Sequence, residues 1–214
     1  MASGELALQS GECVAAGVPA ERLLVDRCRQ GDPEAFSRLV ALHEGMVFNL
    51  AARLLGDSEE ARDLSQEVFL QVYRHLGRFQ GRSSLKTWIY RIVVNQCRNR
   101  QRWWRRRRVD RASSLEELTS AEEAKASTAA CGGPESPFDQ ACRRERSQRV
   151  QVALLALPFH HRTVLVLREV EGLSCEGIAS MLELPEGTVK SRLARARDSL
   201  RRSLFPELGE GRLP

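Results

Sequence analysis

The 214-residue sequence has no apolar run long enough to cross a bilayer, and none of its six cysteines belongs to a C-x-x-C pair. The first absence excludes a membrane-inserted span, which needs about 20 consecutive apolar residues. The second excludes a zinc framework and a disulfide scaffold. Cys13, Cys28, Cys97, Cys131, Cys142 and Cys175 are scattered, and His160-His161 lies far from all but Cys142 and Cys175. Neither metal-ligand spacing nor the dense pattern of small secreted domains results. Neither a metal site nor a cofactor is expected. Period-two alternation bounded by turn residues is missing too, so strands are not expected. A Walker A loop, H-E-x-x-H, G-x-S-x-G and the paired-glycine dinucleotide signature are all absent, which leaves no catalytic motif and argues against an enzyme. Met1 to Ala20 holds Glu5 and Glu12 but no basic flank and no apolar core. It does not read as a signal peptide, and the cysteines read as small packing residues in a reducing cytoplasm.

What is present is ordinary globular material with an uneven charge. The chain is 42% hydrophobic and 29% charged, with a formal net charge of +5. Lys and Arg outnumber Asp and Glu by 18 to 10 over residues 21–108 and by 12 to 7 over residues 141–204, but are outnumbered 2 to 7 over residues 109–140. Two basic blocks thus flank an acidic connector. Such blocks suit a polyanionic partner such as nucleic acid, and equally a solvated surface.

Helical periodicity organises both blocks. Asp32-Pro33-Glu34 carries a side-chain cap, a first-turn proline and an acid near the positive helix end. The apolar stripe that follows runs through Phe36, Leu39, Val40, Val47, Leu50 and Leu54 to Gly56, with Gly45 as a candidate kink. Asp57 and Glu60 resemble a capping box opening a helix from Ser58 to Leu76, whose Ala61, Leu64, Val68 and Val72 face inward. A loop from Gly77 to Ser84 leads to a helix ending about Arg108. Four further helices are predicted near 141–156, 158–170, 175–182 and 186–202. The expected fold is all-α: an extension over residues 1–18, a helical domain over 19–108, a flexible acidic linker over 109–140, a second helical domain over 141–205, and a tail over 206–214.

Two segments could touch nucleic acid. Arg98, Arg100, Arg102 and Arg105 to Arg108 place seven arginines within eleven residues around Trp103 and Trp104. Guanidinium groups grip phosphates and indole faces stack on bases, although a basic helix end also complements the helix dipole and the indoles can simply pack. Upstream, Trp88 reads as core and Tyr90 as half exposed. Near the C-terminus, Leu184-Pro185-Glu186 is a turn feeding a helix with Val189, Leu193, Ala196 and Leu200 on one stripe. Thr188, Lys190, Ser191, Arg192 and Arg195 lie at or beyond its edges, as the second helix of a helix-turn-helix would require. A solvated arginine face has the same pattern.

Three motifs then carry a resemblance: Asp63-Leu64-Ser65-Gln66-Glu67-Val68-Phe69, the segment Phe79-Gln80-Gly81-Arg82-Ser83-Ser84-Leu85-Lys86-Thr87-Trp88-Ile89-Tyr90-Arg91-Ile92, and Gly187-Thr188-Val189-Lys190-Ser191-Arg192-Leu193-Ala194-Arg195-Ala196-Arg197. In this order and separation the chain resembles the sigma factors of bacterial RNA polymerase, sigma-70 family, extracytoplasmic-function group, which keep only regions 2 and 4. The resemblance implies that Asp63, Gln66 and Glu67 bind core RNA polymerase. It implies a minus-ten promoter site from Phe79, Gly81, Ser83, Ser84, Lys86, Trp88, Tyr90, Arg91, Asn95, Arg98 and Arg102, with a flipped non-template base in the loop and single-stranded backbone on the basic residues. It implies a minus-thirty-five site in which Lys190, Ser191, Ala194 and Arg195 meet base edges while Thr188, Arg192 and Arg197 hold phosphates. An anti-sigma factor as a further partner and a stress or envelope regulon are also implied. The acidic linker either mimics RNA in the polymerase channel or is a plain tether. A stand-alone helix-turn-helix regulator is the other reading of the same DNA-binding features. Gly177 departs from the family, which usually has an acidic helix former there; glycine inside a helix costs about 1 kcal/mol relative to alanine, so this helix is expected to be softer.

Overall fold

The computed structural model describes residues 17–112, Arg82 excepted, and 137–205. The helices are α1 (Gly17–Arg29), α2 (Pro33–Leu55), α3 (Ser58–His75), a 3-10 turn at Leu76–Arg78, α4 (Leu85–Ala112), α5 (Pro137–Ala156), α6 (Phe159–Glu169), α7 (Cys175–Leu182) and α8 (Glu186–Leu204). No strand occurs among the described residues.

The ends of these helices follow from their caps. Asp32 accepts from the amides of Glu34 (2.9 Å) and Ala35 (3.2 Å), and Gly56 at φ +82° closes α2 with its amide on the Ala52 carbonyl. Asp57 accepts from Glu59 N (2.8 Å) and Glu60 N (3.1 Å) to open α3. The capping box is only half used, because the Glu60 carboxylate holds Arg100. α2 continues through Gly45, which sits exposed in the helix with nothing near its absent Cβ. The helix is therefore not broken at Gly45.

α1 to α4 close around Leu39, Val47, Leu50, Leu54, Leu64, Val68, Val72, Ile89, Val93 and Val94, all fully buried. α5 to α8 form a smaller body in which Val164 and Leu167 of α6 and Ile178 of α7 meet Val189, Leu193 and Ala196 of α8. Three helices reach into segments expected to be an extension or a linker. Helix α4 continues to Ala112 and α5 starts at Pro137, so both ends of the expected linker are helical, while its middle, residues 113–136, lies outside the described residues. Helix α1 likewise begins within the expected extension, at Gly17; the rest of that extension and the 206–214 tail lie outside the described residues. Short helix-weak sequence marks a linker poorly when a strong helix runs into it.

The bodies pack on each other at the C-terminal end of α2. Gln151 Nε2 donates to the Ala52 carbonyl (3.1 Å), and the buried Arg162 donates to the carbonyls of Leu54, Leu155 (2.8 Å) and Leu157 (3.1 Å). A helix C-terminus leaves carbonyls unsatisfied at its negative end, so a guanidinium fits there electrostatically. Burial lowers the Arg162 pKa to about 10, and its Nε has no partner among the described residues. A Cβ on Gly56 would lie 2.4 Å from Leu155 Cδ1, so glycine also permits this close approach. Nothing local in the sequence marks Arg162, because its acceptors lie up to 108 residues away.

Candidate nucleic-acid interface

Helical spacing puts Asp63, Gln66 and Glu67 on one exposed face of α3. Exposed Leu70 (56%) and Tyr73 (59%) prolong it. These two were missed in the sequence, though the i+3, i+4 and i+7 spacing from Asp63 and Gln66 carries the signal. The face is less free than expected: Arg100 of α4 bridges Glu60 and Glu67, at 2.8 Å each. Glu67 is thus partnered from another helix, which inspection of α3 alone could not reveal.

The loop between α3 and α4 borders a cavity of about 590 Å³ whose opposite wall is α1, through Glu21, Arg22, Asp26 and Arg29. Arg29 ties the loop down by donating to the carbonyls of Leu76 (3.4 Å) and Phe79. Glu21 accepts from Leu85 N (3.2 Å) at the start of α4. No α1 residue was anticipated here, because the contact joins segments about sixty residues apart. Gly81 adopts φ +68°, a backbone conformation that favours glycine, and nothing lies within 4 Å of a would-be Cβ. Ser83 is exposed. Ser84 is an α4 cap: its Oγ accepts from Thr87 N (3.1 Å) and pairs with Thr87 Oγ1 (2.9 Å).

The aromatic assignments reverse. Trp88 is only partly buried, tilted at 45° against Phe79 with centroids 5.3 Å apart. Tyr90 is fully buried, and its hydroxyl donates to Glu171 of the second body. Burial, then the Glu171 hydrogen bond, pushes its pKa well above the ordinary tyrosine value. The half-exposed Tyr90 expected from α4 alone is covered because the α6–α7 connection docks over it. Lys86 lies 5.5 Å over the Tyr90 ring and Arg91 pairs with Glu183. Asn95 is exposed. Arg98 and Arg102 share a crevice with Arg192 of α8, so residues read as two separate sites meet in this arrangement. Of the two indoles, Trp104 packs on the core and Trp103 is exposed with Arg107 4.0 Å over its ring.

α7, the turn at Glu183-Leu184-Pro185 and α8 make the helix-turn-helix. Glu183 takes φ +56° and Leu184 N bonds the Ala179 carbonyl (3.0 Å), turning the chain sharply. Ser174 Oγ accepts from Gly177 N (2.9 Å), and a Cβ on residue 177 would lie 3.1 Å from that Oγ. Gly177 therefore belongs to the capped first turn of α7 and not to a softened interior. On α8, Lys190 pairs with Glu186 (2.8 Å), which raises its pKa, and Ser191 Oγ donates to the Thr188 carbonyl (3.0 Å). Arg197 is held by Glu169 of α6, with Nε at 3.0 Å. Ala194 and Arg195 are exposed, Thr188 and Arg192 half-buried; Arg195 has no partner among the described residues. Among those residues no cluster of His, Cys, Asp and Glu is arranged to hold a metal, and no helix is long and apolar enough to span a membrane.

Comparison with known proteins places this arrangement. Sigma-70 region 2 matches residues 39–118 and sigma-70 region 4 matches residues 147–200. The chain is 38% identical to the RNA polymerase sigma-H factor of Pseudomonas aeruginosa, over 89% of this chain and 96% of that one. It is 31% identical to the ECF RNA polymerase sigma factor SigW of Bacillus subtilis, over 84% and 94% respectively. Among solved structures it is similar to CnrH in complex with the cytosolic domain of CnrY, with a TM-score of 0.59 and 26% identity over 87% of this chain and 98% of that one.

Proposed function

Since the chain belongs to the sigma-70 family, in its extracytoplasmic-function group, and is a promoter-recognising sigma factor, we propose which of its surfaces does each part of that work. Its relatives are sigma factors, which are not enzymes, and a stand-alone regulator is not favoured. Asp63 and Gln66, with Glu67, Leu70 and Tyr73 around them, are the core-polymerase face. The loop from Phe79 to Ser84, walled by α1, takes the minus-ten base, and the basic side of α4 takes the strand beside it. The exposed edge of α8 reads the minus-thirty-five element, with Arg195 as its principal base-reading guanidinium. The protein works in the cytoplasm, where its polymerase and promoters are. An inhibitory protein of the anti-sigma kind is a further partner; CnrH, similar over most of its length, was solved with the cytosolic domain of another protein.

The observation that supports this assignment best is the contrast between occupied and free guanidiniums. Arg100 and Arg197 are consumed by Glu60, Glu67 and Glu169, while Arg195 stands exposed and unpaired among the described residues. A guanidinium already in an ion pair has some of its donors taken and part of its charge offset before DNA arrives. Run-off transcription with core RNA polymerase tests the reading. Asp63→Arg should abolish initiation at every promoter and remove the protein from the core complex on gel filtration. Unchanged core binding and initiation in that variant would overturn the assignment of the α3 face.

A further inference from the structure

A crevice of about 320 Å³ lies between the two bodies, walled by α4, the start of α6, the α7–α8 turn and α8. Arg98 and Arg102 enter it from α4 and Arg192 from α8. Among the described residues none of the three has a hydrogen bond or ion pair, and no carboxylate lines the crevice. Other arginines of the same helices are matched, Arg91 to Glu183, Arg100 to Glu60 and Glu67, and Arg197 to Glu169, whereas these three share one enclosure with no acid among them. α6 starts here at Pro158 with no side-chain cap and no acid in its first turn, so its positive end adds to the same field. His160, on the wall, feels it: desolvation first, then Arg192 and Arg105, lower its pKa. Like charges gathered at a partly enclosed place repel unless something anionic lies among them. Besides His160 and Thr163, the remaining wall is apolar, from Phe159, Leu182 and Leu184.

We propose that this crevice is a binding site for a small phosphorylated anion of the nucleoside polyphosphate class, with Arg98, Arg102 and Arg192 on the phosphates and Phe159, Leu182 and Leu184 against the base. Guanidinium groups are the preferred side chains for phosphate because their fork of donors matches two oxygens at once. The volume lies at the small end of ligand pockets, about 300 to 1,000 Å³, enough for a mononucleotide and too little for a duplex. A ligand seated here touches both bodies at once, so it binds the closed arrangement and favours it over any separated one. It also occupies three guanidiniums that, on the function proposed above, are needed for promoter DNA. Such a ligand is therefore a brake on initiation, and this consequence, unlike the binding itself, rests on that reading.

Isothermal titration of the full-length chain with ATP, GTP and pyrophosphate tests the site. Saturable one-to-one binding of the nucleotides is expected, weakened about tenfold or more in each of Arg102→Ala and Arg192→Ala, with Arg192→Lys intermediate and melting curves of all three variants close to wild type. Pyrophosphate should bind more weakly than the nucleotides, since it leaves the apolar wall bare; equal binding would overturn the nucleoside part of the proposal. No nucleotide binding, or binding indifferent to both alanine variants, would overturn the site. So would arginine-dependent binding of a short single-stranded DNA by a chain that ignores nucleotides, because the crevice would then be a strand site. Run-off transcription separates the two readings: variants that lose nucleotide but initiate normally keep the site and remove its DNA role, whereas variants that lose initiation in a chain that never bound nucleotide do the reverse.

Discussion

The two helical bodies hold their functional side chains in opposite ways. In α1–α4 the polar and aromatic groups of interest are mostly engaged: Glu67 by Arg100, Phe79 by Trp88, Ser84 by its own helix, Tyr90 by Glu171 and Arg91 by Glu183. In α5–α8 the recognition helix keeps its outer edge open, with Ala194 and Arg195 exposed and only the flanks, Lys190 and Arg197, tied to acids. The small body presents a finished reading surface. The large body must let go of contacts to the small one before Tyr90 and Arg91 can meet a nucleic acid.

Core truncations give the largest test of this contrast. Leu64→Ala, which empties a fully buried position of the large body, should cost about 2 to 5 kcal/mol in chemical denaturation. Leu193→Ala should cost a similar amount but melt the small body while the large one stays helical. A single transition shared by both would show that the two bodies do not fold separately. Arg162→Met attacks their junction. It leaves the carbonyls of Leu54, Leu155 and Leu157 short of a donor, and an abandoned buried polar group costs about 1 to 3 kcal/mol. Calorimetry should show the two bodies melting further apart in this variant.

At the reading surface, Arg195→Ala should lose about 1 to 3 kcal/mol of discrimination at one base pair of the upstream promoter element. Arg197→Ala should lower affinity evenly across sequences, and the comparison of the two in a promoter-library binding assay sharpens the distinction between free and tied arginines. Tyr90→Phe removes the hydroxyl that reaches Glu171. Because the half-buried Glu171 can turn to water, the expected cost is about 0.5 to 1.5 kcal/mol, together with faster exchange of the α4 amides near that contact. The smallest effect is chemical. Burial pushes the Cys97 thiol up to about 12, and Cys28 is raised for the same first reason. Thiolate is the reactive form, so at neutral pH a maleimide should label Cys142 and Cys175 well before Cys97 and Cys28, as read by peptide mass spectrometry.

Much of the molecule was legible before any coordinates. Asp32, Asp57 and Gly56 announced three helix ends, and the stripe through Leu39, Val47, Leu50 and Leu54 announced a buried face, because each signal is complete within a few residues of chain. The helix-turn-helix was readable for the same reason. Tyr90 was not: its i+3 and i+4 neighbours say nothing about Glu171, 81 residues on. Nor could the loop from Phe79 to Ser84 disclose that α1 forms the other wall of its cavity, or that Gly81 takes a positive φ.

By itself, then, the sequence determined the helices, their caps, the two basic blocks and the motifs that identify a sigma factor, all of which rest on short-range periodicity and on residue chemistry. Only the tertiary structure decided which of those basic and polar groups are free. That depends on pairs such as Arg91 with Glu183 or Arg162 with Leu54, 92 and 108 residues apart, and such pairs form through the docking of whole helices, whose geometry is set by the summed packing of many side chains and not by any local pattern.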